Sequence, residues 1–561
     1  MRLPSFRICN LTKCADVLVS ALSLFIIFLY LESSVFTTTP SLLFKIAAAV
    51  ADSSLFVLLI SALRGNRRIA GGALVFVIML VVLANVLYLR SFNDLIPSTA
   101  YFHSQLTDPT VLKGASYAFR PSDMILIAAG ILPLAYYFIR GRKQSVPAGC
   151  RSGLIVATVI VMIAAWSVSL LGTYRRNAIY NGEFSFKEIT QQIFSKEFVD
   201  WRTPYRNLHF TGYLSFCVGD FFSSSYITLS DSQKEEIRSY LSAKTQETAL
   251  PPLAADSVRQ NLIIIVVESL ESQVMNMYPD IHPTLSAAIA EPNTVYVERC
   301  KVQADYGRSS DAQFILNTGL LPLHNEALVN RYAMNDYPSL AKALGSHSIE
   351  IIGEDKSLWS HGQTSQSYGF ETLIDNICPD TYNQDSLIFK EAAREAARLP
   401  EPFFMFVSTL SMHDPYTDAI TSAEIGDVAT DPRDMEYFRR LKHFDTQLGS
   451  FIDSLKAKNL YDNSLIVIVG DHEIREDATS LPKGEYVPLI ILNSPAADYR
   501  REDVSQADIF PTNLYLMGKD YSYRGSDYTG VGTNIFYKSA AVGSDDRAYK
   551  VSEQIIRSKM E

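Results

Sequence analysis

A membrane-embedded α-helical bundle of five spans followed by a water-soluble α/β domain with a largely parallel central sheet is the fold class that this 561-residue chain predicts. Three observations lead there. The first third holds five long apolar segments. Later, continuous runs of apolar and β-branched residues suit strands buried on both faces of a sheet. Between those runs lie stretches of helical composition, the alternation expected when helices cover such a sheet.

The apolar segments run from Val17 to Phe36, Leu42 to Leu63, Ile69 to Leu89, Met124 to Ile139 and Gly153 to Leu171, most of them near the ~20 residues needed to cross a bilayer. The first reads as a span rather than a removable signal peptide, because four more follow and no clear small-residue cleavage site succeeds it. Arg2, Arg7 and Lys13 precede the first span, Arg64, Arg67 and Arg68 separate the second and third, and Arg140, Arg142, Lys143 and Arg151 separate the fourth and fifth. Positive residues favour the cytoplasmic side, so the N-terminus is expected in the cytoplasm and everything after Leu171 outside it. That describes a multi-pass protein of the cytoplasmic (inner) membrane with an extracytoplasmic domain, periplasmic or extracellular. Lys45 and Asp52 within the second span are costly in hydrocarbon. Lys45 can snorkel outward, and Asp52 is expected to be neutral or paired inside the bundle, a lipid or helix contact being the alternative.

The expected organisation is a transmembrane domain over 1–172, a juxtamembrane connector over 173–253, a catalytic domain over 254–540 and a tail over 541–561. The connector is polar and aromatic-rich, with Trp201 and Tyr205 suited to a membrane surface. Pro251 and Pro252 mark the entry to the next domain. The tail is charged and is expected to be loosely held. A formal net charge of -10 argues against nucleic-acid partners, which call for a basic face. It leaves a phosphate substrate open, since a bound cation supplies local positive charge. Six cysteines lack CxxC spacing, which argues against a cysteine zinc site. Cys217, Cys300 and Cys378 fall outside the cytoplasm, enough for one disulfide at most.

In the second domain, strands are expected at Leu262 to Val267, Phe403 to Val407, Leu465 to Val469 and Val487 to Leu492, and helices at Tyr337 to Ser346, Asp385 to Arg398 and Asp434 to Lys458. Glu268 ends the first strand, and Asp471-His472 ends the third. Parallel sheets gather their chemistry at such carboxyl ends. Either motif alone could be a surface carboxylate or a chance Asp-His pair; two strand ends that deliver carboxylate and imidazole donors suit a divalent ion, Mn²⁺ first, with Mg²⁺ or Zn²⁺ as alternatives. Gly307-Arg308-Ser309-Ser310-Asp311 reads as a turn into a helix. A serine there is ordinarily an N-cap, but beside a metal set it is a candidate nucleophile, Ser309 or its rival Ser310. A metal ion and a helix amino terminus would both favour its alkoxide. His413 follows another strand end and could hydrogen-bond a phosphoryl group or protonate a leaving alkoxide.

These residues resemble the lipoteichoic acid synthase family of membrane phosphoglycerol transferases, in the alkaline phosphatase and sulfatase superfamily. The family's metal-binding glutamate matches Glu268 in Val-Val-Glu-Ser, its nucleophilic threonine matches Ser309 with Arg308 in place of a lysine, and its Asp-His metal ligands match Asp471 and His472. The family's phosphate-contacting histidine matches His413, and its substrate-side tryptophan matches Trp359. Where the family has an arginine two residues after that tryptophan, this chain has His361. The resemblance implies a sulfatase-like fold with one divalent metal ion held by Glu268, Ser309, Asp471 and His472, catalysis by Ser309 and His413, and substrate contacts from Arg308, Trp359, His361 and His413. Val487-Pro488-Leu489-Ile490 and Gln506-Ala507-Asp508 also look like this superfamily, in support of the fold. The implied reaction is transfer of phosphoglycerol from phosphatidylglycerol, through a covalent Ser309 intermediate, to a glycan or glycolipid hydroxyl. Phosphatidylethanolamine is the alternative donor. A sulfatase is disfavoured because neither Ser309 nor Cys300 begins the Cys/Ser-x-Pro-x-Arg pattern, and a catalytically silent scaffold because the ligands and nucleophile are intact.

Overall fold

The computed structural model describes residues 15–35, 42–63, 68–92, 95–96, 118–140, 148–181, 212–214 and 217, and then 227–558 with short breaks at 248–249, 325–326, 379–384, 418, 476–477, 497–500, 502 and 539–545. Trp201 and Tyr205, and with them the expected membrane-surface role of the connector, lie outside the described residues. The chain divides into two compact units, Met1–Ser225 and Tyr226–Glu561.

The first unit contains α1 (Ala15–Val35), α2 (Leu42–Ala62), α3 (Arg68–Phe92), α4 (Met124–Arg140) and α5 (Ala148–Asn181). Five helices of this unit are long and apolar enough to cross a membrane. Leu24, Phe28, Leu31, Val57, Val82, Val86 and Leu126 meet in its core, while Leu22, Leu59, Val77, Ile131 and Ile160 remain exposed. Arg90 at the end of α3 holds Asp123, just before α4, at 2.7 Å, and the Tyr30 hydroxyl donates to the same carboxylate at 2.6 Å. Asp52 is paired internally: its carboxylate accepts the backbone N–H groups of Tyr213 at 2.6 Å and Leu214 at 3.3 Å. Gly212 has φ +86°, and a Cβ there would collide with Asp52, so glycine is required for this close approach. The Tyr213 ring enters the core beside Phe28, and its hydroxyl accepts from Asn85 at 3.0 Å.

The second unit is built on an eight-stranded sheet in the order β4-β3-β5-β1-β6-β7-β2-β8. Its strands are β1 (Asn261–Val267), β2 (Val295–Lys301), β3 (His347–Ile351), β4 (Thr372–Ile374), β5 (Phe403–Ser408), β6 (Ser464–Gly470), β7 (Tyr486–Leu492) and β8 (Val504–Ser505). From β4 to β6 all pairings are parallel, and β7 runs against both of its neighbours. The central strands β1, β5 and β6 are buried along their whole length, which is why their sequences are apolar throughout. The alternate side chains of β1 enter two cores, Leu262, Ile264 and Val266 on one face and Ile263, Ile265 and Val267 on the other.

Among the helices are α6 (Asp231–Glu247), α7 (Ser309–Thr318), α8 (His361–Tyr368), α9 (Asp385–Ala396), α10 (Pro432–Ala457), α11 (Ile509–Leu516) and α12 (Asp546–Arg557). The helix expected over Tyr337 to Ser346 is reduced to Leu340–Leu344. Two expectations are corrected. The second unit begins within the stretch read as a connector, because Leu229, Ile237, Tyr240 and Leu241, around and within α6, bury themselves in its core. In the described part of the charged tail, α12 packs Val551, Ile555 and Ile556 into the same core, with Asp546, Arg547 and Lys550 exposed and the buried Arg557 paired with Glu553 at 2.8 Å. Cys217, Cys300 and Cys378 are all free thiols.

Candidate active site and metal centre

Register brings the site together. Val267 of β1 lies opposite Gly470 of β6, so the next residues, Glu268 and Asp471, emerge side by side at the carboxyl edge of the sheet. The Asp471 N–H still bonds to the Val267 carbonyl at 3.1 Å, and the Glu268 N–H to the Thr409 hydroxyl at 3.1 Å, so the ladder stays fixed up to the point where the carboxylates leave it. A Cβ on Gly470 would lie 2.7 Å from the Leu270 carbonyl, which restricts that position to glycine.

Glu268, Asp471 and His472 are buried, and each offers a ligand atom within 4.8 Å of the others. Among the described residues this is the one group of three or more that converges in this way. His472 Nδ1–H donates to the Glu473 carbonyl at 2.9 Å, which leaves the Nε2 lone pair facing inward. Nε2 lies 3.5 Å from Glu268 Oε1 and 3.4 Å from Asp471 Oδ2. Burial and the neighbouring Glu268 charge push Asp471 well above its ordinary range. Burial works against ionised Glu268 too, yet the neighbouring imidazoles of His413 and His472 and the Ser269 hydroxyl hold it below its ordinary value. Burial, reinforced by Arg308, pushes His472 down to about 3, so its imidazole is neutral. Two carboxyl groups, whose shared charge is costly without a counter-ion, and a neutral imidazole aim oxygen and nitrogen donors at one point, and the donor set fits a divalent cation.

The Ser309 hydroxyl completes the cluster, 3.1 Å from His472 Nε2 and 3.2 Å from Glu268 Oε2. Ser310 is turned away, donating to the Gly307 carbonyl at 2.7 Å. The buried Asp311 carboxylate accepts the Gly307 and Asp305 N–H groups at 2.8 and 3.1 Å, shaping the turn, and a Cβ on Gly307 would strike Asp311. Backbone strain concentrates here: Ser269 and Arg308 have φ of 49° and 45°, a region that costs non-glycine residues roughly 1–3 kcal/mol each.

His413 lies beyond the end of β5, its side chain one third exposed and its Nδ1 in contact with the Asp414 carbonyl. Trp359 and His361 follow β3, two strands from β1. Trp359 packs against the core, and both it and Ser360 have positive φ. His361 is 2 % exposed and pairs with Glu354 at 3.2 Å. Burial opposes its charge, but Glu354 and Glu350 raise it. His361 is therefore held by protein carboxylates. Arg308 likewise turns its guanidinium to the Glu473 carbonyl at 2.9 Å and the Glu473 carboxylate at 3.6 Å.

Sequence reasoning missed several supports. Arg440 is 1 % exposed; it pairs with Glu436 at 3.0 Å and donates to the His413 and Pro415 carbonyls at 2.6 and 3.2 Å. Gln506, read as a fold motif, donates to the Asp471 carbonyl at 2.7 Å and accepts from Gln303 N–H at 2.8 Å. Glu271 accepts the Ile474 N–H at 3.2 Å, steadying the loop after His472. The only local signal was polarity within otherwise apolar packing.

Residues 260–519 match the Sulfatase family. The chain is 25% identical over 500 residues to lipoteichoic acid synthase 2 of Bacillus subtilis, covering 81% of this chain and 73% of that one. It is 26% identical over 317 residues to lipoteichoic acid synthase of Staphylococcus aureus, covering 50% of this chain and 48% of the relative, about half its length. In fold it is similar to the integral membrane protein lipooligosaccharide phosphoethanolamine transferase A from Neisseria meningitidis, with a TM-score of 0.54 and 14% identity, over 92% of this chain and 96% of that one.

Proposed function

We propose that this chain, a sulfatase-domain membrane protein homologous to the lipoteichoic acid synthases, is a phosphotransferase that moves phosphoglycerol from phosphatidylglycerol to a glycan or glycolipid hydroxyl. The observation that carries this reading is the contact of the Ser309 hydroxyl with both Glu268 and His472 at the carboxyl edge of the sheet.

In this reading Glu268, Asp471, His472 and Ser309 hold one divalent cation, Mn²⁺ by preference. A cation bound there would supply a Lewis acid that lowers the cost of the serine alkoxide and of phosphoryl charge. Ser309 Oγ, its proton passed to solvent water, forms a bond to phosphorus while the bond from phosphorus to the diacylglycerol oxygen breaks. His413 gives that departing oxygen a proton. In the second half an acceptor hydroxyl passes its proton back to His413 and displaces Ser309, releasing the product. Trp359 lines the substrate side, and His361, held by Glu354, orients that wall. The five helices tether the domain to the membrane that contains donor and lipid-linked acceptor, raising their effective concentration. The positive flanks of the spans support a cytoplasmic N-terminus and an extracytoplasmic catalytic domain.

The test is mass spectrometry of the purified protein after incubation with Mn²⁺ and head-group-labelled phosphatidylglycerol or phosphatidylethanolamine, beside Ser309→Ala. A glycerophosphate adduct on Ser309, with diacylglycerol release lost in the variant, is the expected result. An ethanolamine phosphate adduct would replace the donor. Absence of adduct and of diacylglycerol from folded, metal-loaded protein would sink the transferase reading.

A further inference from the structure

We propose that Arg308 is a positioning residue for His472, setting the tautomer and direction of that imidazole through the Glu473 carbonyl. The inference rests on reading Glu268, Asp471 and His472 as metal ligands, and it gives Arg308 a part other than the substrate contact implied by the family resemblance.

The geometry is a shared acceptor. The Glu473 carbonyl receives His472 Nδ1–H at 2.9 Å and Arg308 Nη2–H at 2.9 Å. Nη2 and Nδ1 are 3.3 Å apart; when both carry hydrogen they do not bond to each other but converge on the same oxygen. A neutral imidazole has one N–H, and two tautomers compete for it. Proton on Nε2 would satisfy the carboxylates of Glu268 and Asp471, which lie 3.5 and 3.4 Å away, and would block ligation by that atom. Proton on Nδ1 leaves Nε2 free for a cation. The buried acids pull toward the first tautomer, so the second needs an acceptor held firmly beneath Nδ1. Arg308 supplies the hold: one nitrogen grips the Glu473 carbonyl while the other faces the Glu473 carboxylate at 3.6 Å, a fork that a single ammonium cannot reproduce.

The same residue immediately precedes Ser309. It adopts φ 45° and ψ -113° and caps α7 with no side-chain hydrogen bond of its own. Its strained backbone orients the nucleophile turn while its side chain grips the loop carrying His472. One residue thus couples the serine to the imidazole it faces. Metal-ligating histidines commonly have their second nitrogen fixed by a carbonyl or carboxylate, and loss of that support weakens metal affinity about 10–100-fold. In this site the support itself is braced by Arg308.

The experiment titrates full-length protein in detergent with Mn²⁺ alone, by calorimetry, in wild type, Arg308→Met, Arg308→Lys and Glu473→Gln. It also separates kcat from KM for phosphatidylglycerol at low and saturating Mn²⁺. Arg308→Met should weaken Mn²⁺ binding about 10-fold or more, leave KM for the lipid within about twofold, and recover much of kcat at saturating metal. Arg308→Lys should fall between Met and wild type, and Glu473→Gln, which keeps the carbonyl, should change affinity by less than about threefold. Unchanged Mn²⁺ affinity with a raised lipid KM would make Arg308 a substrate contact and overturn the proposal. A lowered melting temperature with unchanged affinity and kinetics would reduce it to a structural residue, with the same consequence. If Arg308→Met fails to fold, the Lys variant decides by the same two readouts. Wild-type protein that binds no Mn²⁺ would overturn the proposal together with the metal reading on which it stands, whereas Mn²⁺ binding without phospholipid turnover would remove only the donor, the affinity series then deciding for or against Arg308 by itself.

Discussion

Asp52 in the helical unit and Asp471 in the sheet unit are both fully buried acids, 2 % and 1 % exposed, yet their surroundings differ in kind. Asp52 receives two backbone N–H groups and thereby closes a polypeptide turn against the bundle. Asp471 also receives two, from Ser269 and His472, but both reach the same oxygen, Oδ1, at 2.8 and 2.7 Å. Its other oxygen faces His472 Nε2. The difference teaches that burial of a charge does not mark a site; what matters is whether the surrounding donors leave an oxygen aimed at other electron-rich atoms.

The largest effect that would sharpen this contrast is at the serine between those atoms. Ser309→Ala should lower kcat on the order of 10³-fold or more while Glu268, Asp471 and His472 still bind Mn²⁺, more weakly for the lost ligand, as read by parallel lipid turnover and calorimetry. Retained turnover would transfer the nucleophile's role elsewhere. Next, Asp471→Asn should weaken Mn²⁺ binding by roughly 100-fold, whereas Asp52→Asn should leave it at the wild-type value; equal losses would erase the distinction between the two acids.

A third prediction concerns Arg440, a buried charge that is satisfied in the manner of Asp52 but beside the site. Arg440→Met takes from buried Glu436 its nearer cation, leaving Arg439 at 3.6 Å, and frees the His413 turn, and should cost about 3–5 kcal/mol in chemical denaturation. A stability change below about 1 kcal/mol would show that the turn holds itself. Asp52→Ala, which abandons two N–H groups, should cost a smaller ~1–3 kcal/mol, read as loss of detergent-stable protein on heating.

The last comparison is a pH slope. Burial pushes Glu271 up to about 7, against the pull of the Ile474 and Gly484 N–H groups. Its folded value lies above the reference 4.5, so its protonated form is favoured on folding. That contribution is full below pH 4.5 and is lost as pH rises toward 7. The melting temperature of metal-free protein should therefore fall between pH 5 and pH 8, and Glu271→Gln should flatten the fall. An unaltered slope would assign it to other groups.

Legibility in the sequence followed burial. β1, β5, β6 and β7 were readable because their residues are apolar almost without interruption, as strands with both faces covered must be. β2, with Glu298, Arg299 and Lys301, and β3, with Glu350, escaped because charged residues break the apolar run. β4 and β8 are too short to show a period. Glu268 and Asp471-His472 stood out because each directly follows a readable strand. Arg440 and Glu271 did not, and Gln506 was read only for the fold, because the site backbone they hold arrives from other parts of the chain.

By itself the sequence determined the five apolar helices, the parallel core of the sheet and the strand ends that carry carboxylate and imidazole, since hydropathy and periodicity are local properties. Only the tertiary structure decided which serine faces the donors, that Asp52 is satisfied by the chain near Tyr213, and that Arg308 grips the loop of His472. Those outcomes depend on strand register and on hydrogen bonds between segments far apart in sequence, where an ångström separates a ligand from a bystander.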